Sequence, residues 1–305
     1  MQGKPQECAK IGVVHFMLYK QALKGEADVM PSLATLTADR FLDAIEMTWI
    51  HDKAMRADAA ALLHEWGKTV AFGAQPVLLT QGLDLNHEDR FKRREAVDAV
   101  KRVIEQAYEL GAAGFAVLSG RDPGEEKRAA ARDLLVDSLV QIAAELHAQG
   151  RMRLVLETFD RKPFGKNCLI GPSAEAVEVA RRVREKFPDF GLMIDLSHLP
   201  LIGETSEQCV STVREHLVHA HMGNCVMRDP KHPMYGDMHP PFGDPAGENG
   251  VEQLTGYLAA LLKHGYLDKK KRPILSFEVS PYGDWTPEKL WEQSKETLEK
   301  AWSAV

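Results

Sequence analysis

Four apolar segments in the second half of the chain each end in side chains that can bind a metal ion or transfer a proton. The ionisable residues that end them are Glu157, Asp195, His219 with His221, and Glu278. An ionisable group directly after a buried run is costly to bury unless it is paired or bound to a metal. One such residue is usually a structural ion pair, whereas four such segments in succession indicate a functional site.

The residue types in this set indicate a single divalent cation. Two glutamates, one aspartate and one histidine offer three anionic oxygens and an imidazole nitrogen, which suit Mn²⁺, Mg²⁺, Co²⁺ or Zn²⁺. The four cysteines are scattered along the chain, which argues against a structural zinc site and against a disulfide framework. His198, three residues beyond Asp195, need not be a ligand, because it could lie above the metal and bond a substrate oxygen.

The elements that would position these residues alternate along the whole chain. Eight apolar segments are predicted to be strands: Ile11–Phe16, Phe41–Met47, Thr69–Val77, Gly114–Leu118, Leu154–Thr158, Gly191–Ile194, Leu217–His221 and Ile274–Val279. Segments with helical spacing lie between them: Asp89–Leu110, Glu125–His147, a helix from Pro172 with Ser173 as its N-cap, Gln253–His264 and Pro287–Ala301. Eight alternating units predict a (β/α)₈ TIM barrel. A doubly wound sheet is the alternative, but no glycine-rich phosphate loop follows the first strand.

A TIM barrel would bring the four segments together, because its active site lies at the C-terminal ends of the strands. Glu46 ends the predicted second strand, where an ion pair and a substrate contact both fit. His219 alternates with His221 and is predicted to point to the same face one layer deeper, where it would orient His221.

The stretch Met222–Gly250 is rich in Pro, Gly, His and Asp and is predicted to form a long loop over the active site. A loop of this length in a compact domain is usually functional. Arg228 and His239 lie in it and are interpreted as substrate-binding residues, together with Glu46 and His198.

The composition is that of a globular protein. The 305 residues are 44% hydrophobic and 27% charged, without a linker or a shift in composition, which predicts a single domain over residues 1–305. A net charge of −6 argues against nucleic acid as a partner. We expect a cytoplasmic protein without membrane contact, because no signal region and no apolar run of roughly 20 residues is present. A homo-oligomer is compatible with the sequence.

The ordered series Glu157, Asp195-x-x-His198, His219-x-His221 and Glu278 resembles the xylose-isomerase-like TIM-barrel superfamily. Its members include sugar isomerases and epimerases, hydroxypyruvate isomerases, an inositol-derivative dehydratase and AP endonucleases. The resemblance implies that Glu157, Asp195, His221 and Glu278 bind one divalent metal. It also implies that the two glutamates move protons and that His198 contacts the substrate.

The chain departs from the ketose epimerases at two recognition positions. Those enzymes carry an arginine six residues beyond the metal histidine, where this chain has Met227 followed by Arg228. They also carry a second glutamate six residues after the first, where this chain has Phe164. Substrate recognition is therefore expected to differ from theirs.

The predicted activity is a metal-dependent isomerisation or epimerisation of a keto-sugar or small polyol through an enediolate. The alternative is a lyase or dehydratase that performs β-elimination on an oxidised sugar or glycoside. An AP-endonuclease-like activity is less well supported: Asp237-Met-His239 resembles its motif, but Gln75 and Ser119 stand where it needs histidines. A non-catalytic sugar-binding barrel is the remaining hypothesis.

Overall fold

Eight parallel strands form a closed barrel in the computed structural model, which describes residues 3–161 and 163–305. The strands are β1 (Lys10–Val14), β2 (Ala44–Met47), β3 (Thr69–Gly73), β4 (Ala112–Leu118), β5 (Arg153–Glu157), β6 (Gly191–Asp195), β7 (Leu217–Gly223) and β8 (Ile274–Glu278). Each strand pairs in parallel with the next, and β8 closes the barrel against β1. The predicted (β/α)₈ TIM barrel is confirmed.

Helices connect the strands throughout the described part of the chain. They are α1 (His15–Leu18), α2 (Met30–Ala38), α3 (Lys53–Glu65), α4 (Gln75–Gln81), α5 (Arg90–Arg102), α6 (Ile104–Glu109), α7 (Arg128–Gln149), α8 (Ser173–Arg184), α9 (His198–Ile202), α10 (Ser206–Val213), α11 (Val251–Lys263) and α12 (Pro287–Ser303). Short 3₁₀ helices span Pro5–Glu7, Lys20–Lys24 and Glu125–Lys127. Within residues 3–161 and 163–305, no helix has the length and apolar character that crossing a membrane requires.

The buried apolar side chains form one large core that includes residues of both strands and helices. A small separate cluster of Ala116, Val155 and Met193 comes from three adjacent strands. Side chains on a strand alternate between its faces, so Val155 shares a face with Glu157, and Met193 shares one with Asp195. This cluster therefore forms the layer beneath those two carboxylates.

Several element boundaries differ from the sequence prediction, and two of them have a clear physical cause. The third strand ends at Gly73 instead of Val77, because Pro76 lies in the first turn of α4, where its missing N–H leaves no hydrogen bond unmade. Ser173 is the first residue of α8 and not its N-cap. Its backbone N–H donates to Glu204 Oε1 at 2.9 Å, so a carboxylate from outside the helix satisfies that end.

The segment Asp89–Leu110, predicted as one helix, is divided at Val103 into α5 and α6. Asp89 is the N-cap of α5, and its carboxylate accepts hydrogen bonds from the amides of Phe91 and Lys92. α5 packs against α4 and α7, whereas α6 packs mainly against β4 and α3 and to a smaller extent against α7. Packing against different neighbours therefore overrides a helical pattern that is continuous in the sequence.

Candidate metal centre

The four predicted ligands converge at the C-terminal end of the barrel. Glu157 ends β5, Asp195 ends β6, Glu278 ends β8, and His221 lies two residues before the end of β7. One side-chain atom of each lies within 4.8 Å of the others. All four residues are buried, with exposed fractions of 7% or less. Three carboxylates buried around one point repel one another unless a cation compensates them.

Two of these carboxylates are held through one oxygen and present the other to the centre. Gln75 Nε2 donates to Glu157 Oε2 at 2.7 Å, and the Ser197 amide donates to Asp195 Oδ1 at 2.7 Å. The remaining oxygens, Glu157 Oε1 and Asp195 Oδ2, are buried without a hydrogen-bond partner. Buried polar atoms are rarely left unsatisfied. With their oxygen and nitrogen donors, the four residues fit a divalent cation.

His221 is oriented by a carboxylate on the side away from the centre. Glu46 Oε1 lies 3.0 Å from His221 Nε2 and 2.7 Å from His219 Nε2. A proton on Nε2 shared with Glu46 leaves His221 Nδ1 as the nitrogen that faces the three carboxylates. Both histidines lower the pKa of Glu46 well below its usual range, although burial alone would raise it. Glu46 thus forms the ion pair, and it also reaches the cavity wall.

The charges at the centre are strongly coupled. Burial alone would lower the pKa of His221, but Glu46, Glu157 and Glu278 hold it well above its usual range. Burial, reinforced by the charge of Glu278, raises the pKa of Asp195 to about 6. The pKa of Glu278 is lowered despite burial, because His239 and His221 stabilise its anion. A divalent cation would compete with the proton on His221, so metal affinity should rise with pH.

A second polar group, formed by His198, Asp237, His239 and Lys166, lies beside the first. Asp237 Oδ1 is 3.1 Å from His198 Nε2 and 3.0 Å from His239 Nε2, and Asp237 Oδ2 pairs with the Lys166 ammonium. His239 Nδ1 lies 3.7 Å from Asp195 Oδ2, which links the two groups. Asp195, His198 and His239 are also close enough together to hold a cation. Lys166 and the two imidazoles already compensate Asp237, so the centre with three carboxylates fits a divalent cation better.

The centre opens into a cavity of about 340 Å³. Polar residues of its wall include Glu46, Gln75, Glu157, Lys166, His221, Asp237 and Glu278. His198 and His239 are fully buried against Asp237 and do not line this cavity. The Arg228 side chain is 70% exposed and pairs with Glu248, also away from the cavity. The structure therefore brings together the four predicted ligands and Glu46. Of the four predicted substrate-binding residues, Glu46 alone lines this cavity.

The loop between β7 and α11 reaches the centre through Asp237, Met238 and His239. Two further residues of the site were not recognised from the sequence. Gln75 follows a strand end as the ligands do, so the same signal could have found it had neutral polar residues been included. Lys166 lies in an irregular loop after β5, and no sequence periodicity marks it.

The His198–Asp237 pair should stabilise the metal-free protein in a pH-dependent way. Burial lowers the pKa of His198, but Asp237 and other carboxylates raise it to about 10. Since the pKa is raised on folding, this stabilisation is complete below about pH 6.5 and is lost as the pH rises through about 10. We expect His198→Gln to lower the free energy of unfolding by about 1.5–3 kcal/mol at pH 7.

Denaturant unfolding of the wild type and of His198→Gln, both in chelator, would measure this difference at pH 7 and at pH 10. The difference should be smaller at pH 10, since half of the imidazolium is then deprotonated in the folded wild type. Packing of the ring on Phe159, with centroids 4.6 Å apart, contributes equally at both pH values. An equal difference at the two pH values would contradict the ion pair.

Comparison with known proteins gives the following similarities. The profile of a family described as xylose isomerase-like TIM barrel matches residues 37–301. No curated protein matches the chain. The structure of L-ribulose 3-epimerase is 17% identical, covers 97% of this chain and 96% of that chain, and has a TM-score of 0.71. The E. coli 3-keto-D-glucoside 4-epimerase is 16% identical, with coverages of 95% and 98% and a TM-score of 0.61. An AP endonuclease of family 2 from Brucella melitensis is 17% identical, with coverages of 94% and 98% and a TM-score of 0.67.

Proposed function

The chain belongs to the xylose isomerase-like TIM-barrel family, and from this we propose that it is a divalent-metal-dependent isomerase or epimerase of a keto-sugar or small polyol. The observation that carries the proposal is the convergence of Glu157, Asp195, His221 and Glu278 on one point. Similar structures include a ketose epimerase and a keto-glucoside epimerase, which supports a carbohydrate substrate.

Glu157, Asp195, His221 and Glu278 would hold the cation at the inner end of the cavity, which three of them line. The chemistry that a divalent cation supplies there is Lewis-acid polarisation of a carbonyl, which acidifies the adjacent C–H. Gln75 and the Ser197 amide keep Glu157 and Asp195 in place. Partners of this kind in the outer shell fix ligand orientation and tune the site.

Glu157 and Glu278 are proposed to move the proton, because both carboxylates line the cavity. One removes the proton beside the carbonyl to give an enediolate, and the other returns a proton to carbon. His221 and His239 keep Glu278 ionised, with His239 Nε2 at 3.3 Å from Glu278 Oε1. An ionised carboxylate can accept the proton, although the same two histidines also make Glu278 a weaker base.

Lys166 is proposed to stabilise negative charge that develops on the substrate. Lys166 lines the cavity, and its ammonium lies 4.8 Å from the centre of the Phe159 ring. Burial alone would lower the pKa of Lys166, but Asp237 and Glu278 raise it, so the group remains cationic. A fixed cation in a partly dry site is more effective than one in water.

The AP-endonuclease alternative is not favoured by the residues at the third and fourth strand ends. Gln75 donates to Glu157, and Ser119 Oγ accepts a hydrogen bond from the Ile170 amide at 3.0 Å. Both side chains serve the local structure, and neither can replace a histidine ligand.

β-Elimination, the second alternative, would use the same base as epimerisation. The two reactions differ in the fate of the enediolate, which is reprotonated in an epimerase and loses a substituent in a lyase.

Turnover in D₂O tests the proposed function. An isomerase or epimerase should incorporate one deuterium into recovered sugar, raising its mass by about 1 Da, and chelation should stop the incorporation. Mass spectrometry of a panel of keto-sugars with the Mn²⁺-loaded protein would measure this. Release of water or an aglycone with a new double bond would instead identify a lyase. If the protein catalysed neither exchange nor elimination on any keto-sugar or keto-glycoside, the proposal would be contradicted.

A further inference from the structure

The outer part of the cavity is apolar. Four side chains form what we call the apolar mouth: Met17, Leu23, Leu79 and Met238. Met17 belongs to α1, Leu23 to the 3₁₀ helix that follows it, Leu79 to α4, and Met238 to the loop after β7. Leu79 and Met238 are 43% and 42% exposed, whereas the metal ligands are buried. The mouth therefore lies on the solvent side of the metal centre.

Exposed large apolar side chains are few in the described residues, and two of the five belong to this mouth. The others, Trp66, Phe91 and Val251, do not line the cavity. Exposed apolar groups gathered beside a reactive cluster mark a binding site more often than isolated ones do. The mouth is thus an apolar extension of the site.

The mouth offers few partners to a sugar hydroxyl. Among the exposed residues of the cavity wall, the polar side chains are Lys20 and Thr80. Thr80 Oγ1 already donates to the Pro76 carbonyl at 2.6 Å. A free ketose carries a hydroxyl on nearly every carbon, and a hydroxyl that is desolvated without a partner weakens binding. An apolar substituent would instead gain affinity by burying its surface there.

We infer that the substrate is a keto-glycoside with an apolar aglycone, aryl or alkyl, that lies against the apolar mouth. This inference rests on the proposed function, because the reacting carbons must lie beside Glu157 and Glu278 for the aglycone to extend outward. The sugar then occupies the polar floor of the cavity, and the aglycone covers Leu79 and Met238.

Calorimetric titration of the Mn²⁺-loaded protein with the 3-keto forms of methyl and phenyl β-D-glucopyranoside tests the inference. The two probes differ only in the aglycone. Burial of roughly 60 Å² of the ring at about 25 cal/mol per Å² corresponds to about tenfold in Kd. We therefore expect the phenyl glycoside to bind at least about tenfold more tightly than the methyl glycoside.

Leu79→Gln and Met238→Gln should each reduce this preference to about threefold or less. Phe91→Gln is the matched control, since Phe91 is 67% exposed but lies outside the cavity, and it should keep the full preference. Equal Kd values for the two glycosides in the wild type would overturn the inference, as would a preference that persists in both mouth variants.

Deuterium exchange on the same two glycosides separates this inference from the function on which it rests. Exchange on both glycosides with equal Kd values would overturn the aglycone site and leave the proposed function standing. Selective binding of the phenyl glycoside, with no exchange or elimination on either glycoside or on the keto-sugar panel, would overturn the proposed function and support an aglycone-binding site. An absence of binding and exchange with either glycoside would overturn the aglycone inference.

Discussion

Asp195→Asn should remove the bound metal, lower activity at least about 10³-fold and stabilise the metal-free protein. Lewis-acid polarisation is worth several kcal/mol of barrier, and each 1.4 kcal/mol corresponds to about tenfold in rate. Asparagine keeps an oxygen that can accept from the Ser197 amide, as Asp195 Oδ1 does. The fold should therefore persist.

The gain in stability follows from the sign of the pKa shift. Burial raises the pKa of Asp195 to about 6, so the folded protein favours the protonated carboxyl. The contribution of this carboxyl to the free energy of unfolding is therefore complete below about pH 4 and is lost as the pH rises through about 6. At pH 7 the buried anion costs up to about 3 kcal/mol, and asparagine avoids this cost. The metal-free variant should be more stable than metal-free wild type by about 1–3 kcal/mol at pH 7, and equal to it near pH 3.

Metal content by plasma mass spectrometry, activity, and unfolding in chelator would measure the three effects. Asp133→Asn is the matched control, because the Asp133 side chain is 67% exposed on α7, and it should leave metal content and activity unchanged. Full metal content in Asp195→Asn, or full activity of metal-stripped wild type, would show that the centre is wrongly assigned.

Glu157→Gln and Glu278→Gln should each lower the turnover rate by at least about 10²- to 10⁴-fold, the range that general acid–base assistance supplies. Glutamine preserves the size of the side chain but cannot accept a proton. Glu278→Gln should also abolish deuterium exchange, because it removes the proposed base. Metal loss would deepen the effect, so metal content is measured alongside the rate.

Glu296→Gln is the matched control for this pair, because the Glu296 side chain is 67% exposed on α12. Its rate should equal that of the wild type. Near wild-type rates in both Glu157→Gln and Glu278→Gln, on a substrate that the wild type turns over, would show that the proton-moving pair is misassigned.

The barrel and the position of the four proposed ligands were open to prediction because they depend on local sequence order. Glu157, Asp195, His221 and Glu278 come at or near the ends of apolar strands, and parallel strands of a barrel present those ends together. The boundary between β3 and α4 was not predictable in the same way. Periodicity cannot distinguish a short apolar strand from the start of a buried helix, and Val77 belongs to the helix.

The parts of the site that depend on loops escaped sequence reasoning. The buried Asp237 carboxylate is paired with His198, His239 and Lys166, because a buried anion is stable only with partners. Neither histidine therefore lines the cavity. Arg228 is not buried, and its guanidinium pairs with Glu248 at the solvent-exposed surface. Which loop residues face a cavity depends on pairings across the structure that no local pattern encodes.

Anomalous diffraction from crystals grown with Mn²⁺ tests the proposed metal centre most directly, because it locates the ion without reference to activity. We predict a strong peak about 2.0–2.6 Å from the donor atoms of the relaxed site. Those atoms are Glu157 Oε1, Asp195 Oδ2, His221 Nδ1 and Glu278 Oε2. The absence of a peak among these four residues, or a peak held only by His198, Asp237 and His239, would contradict the assignment.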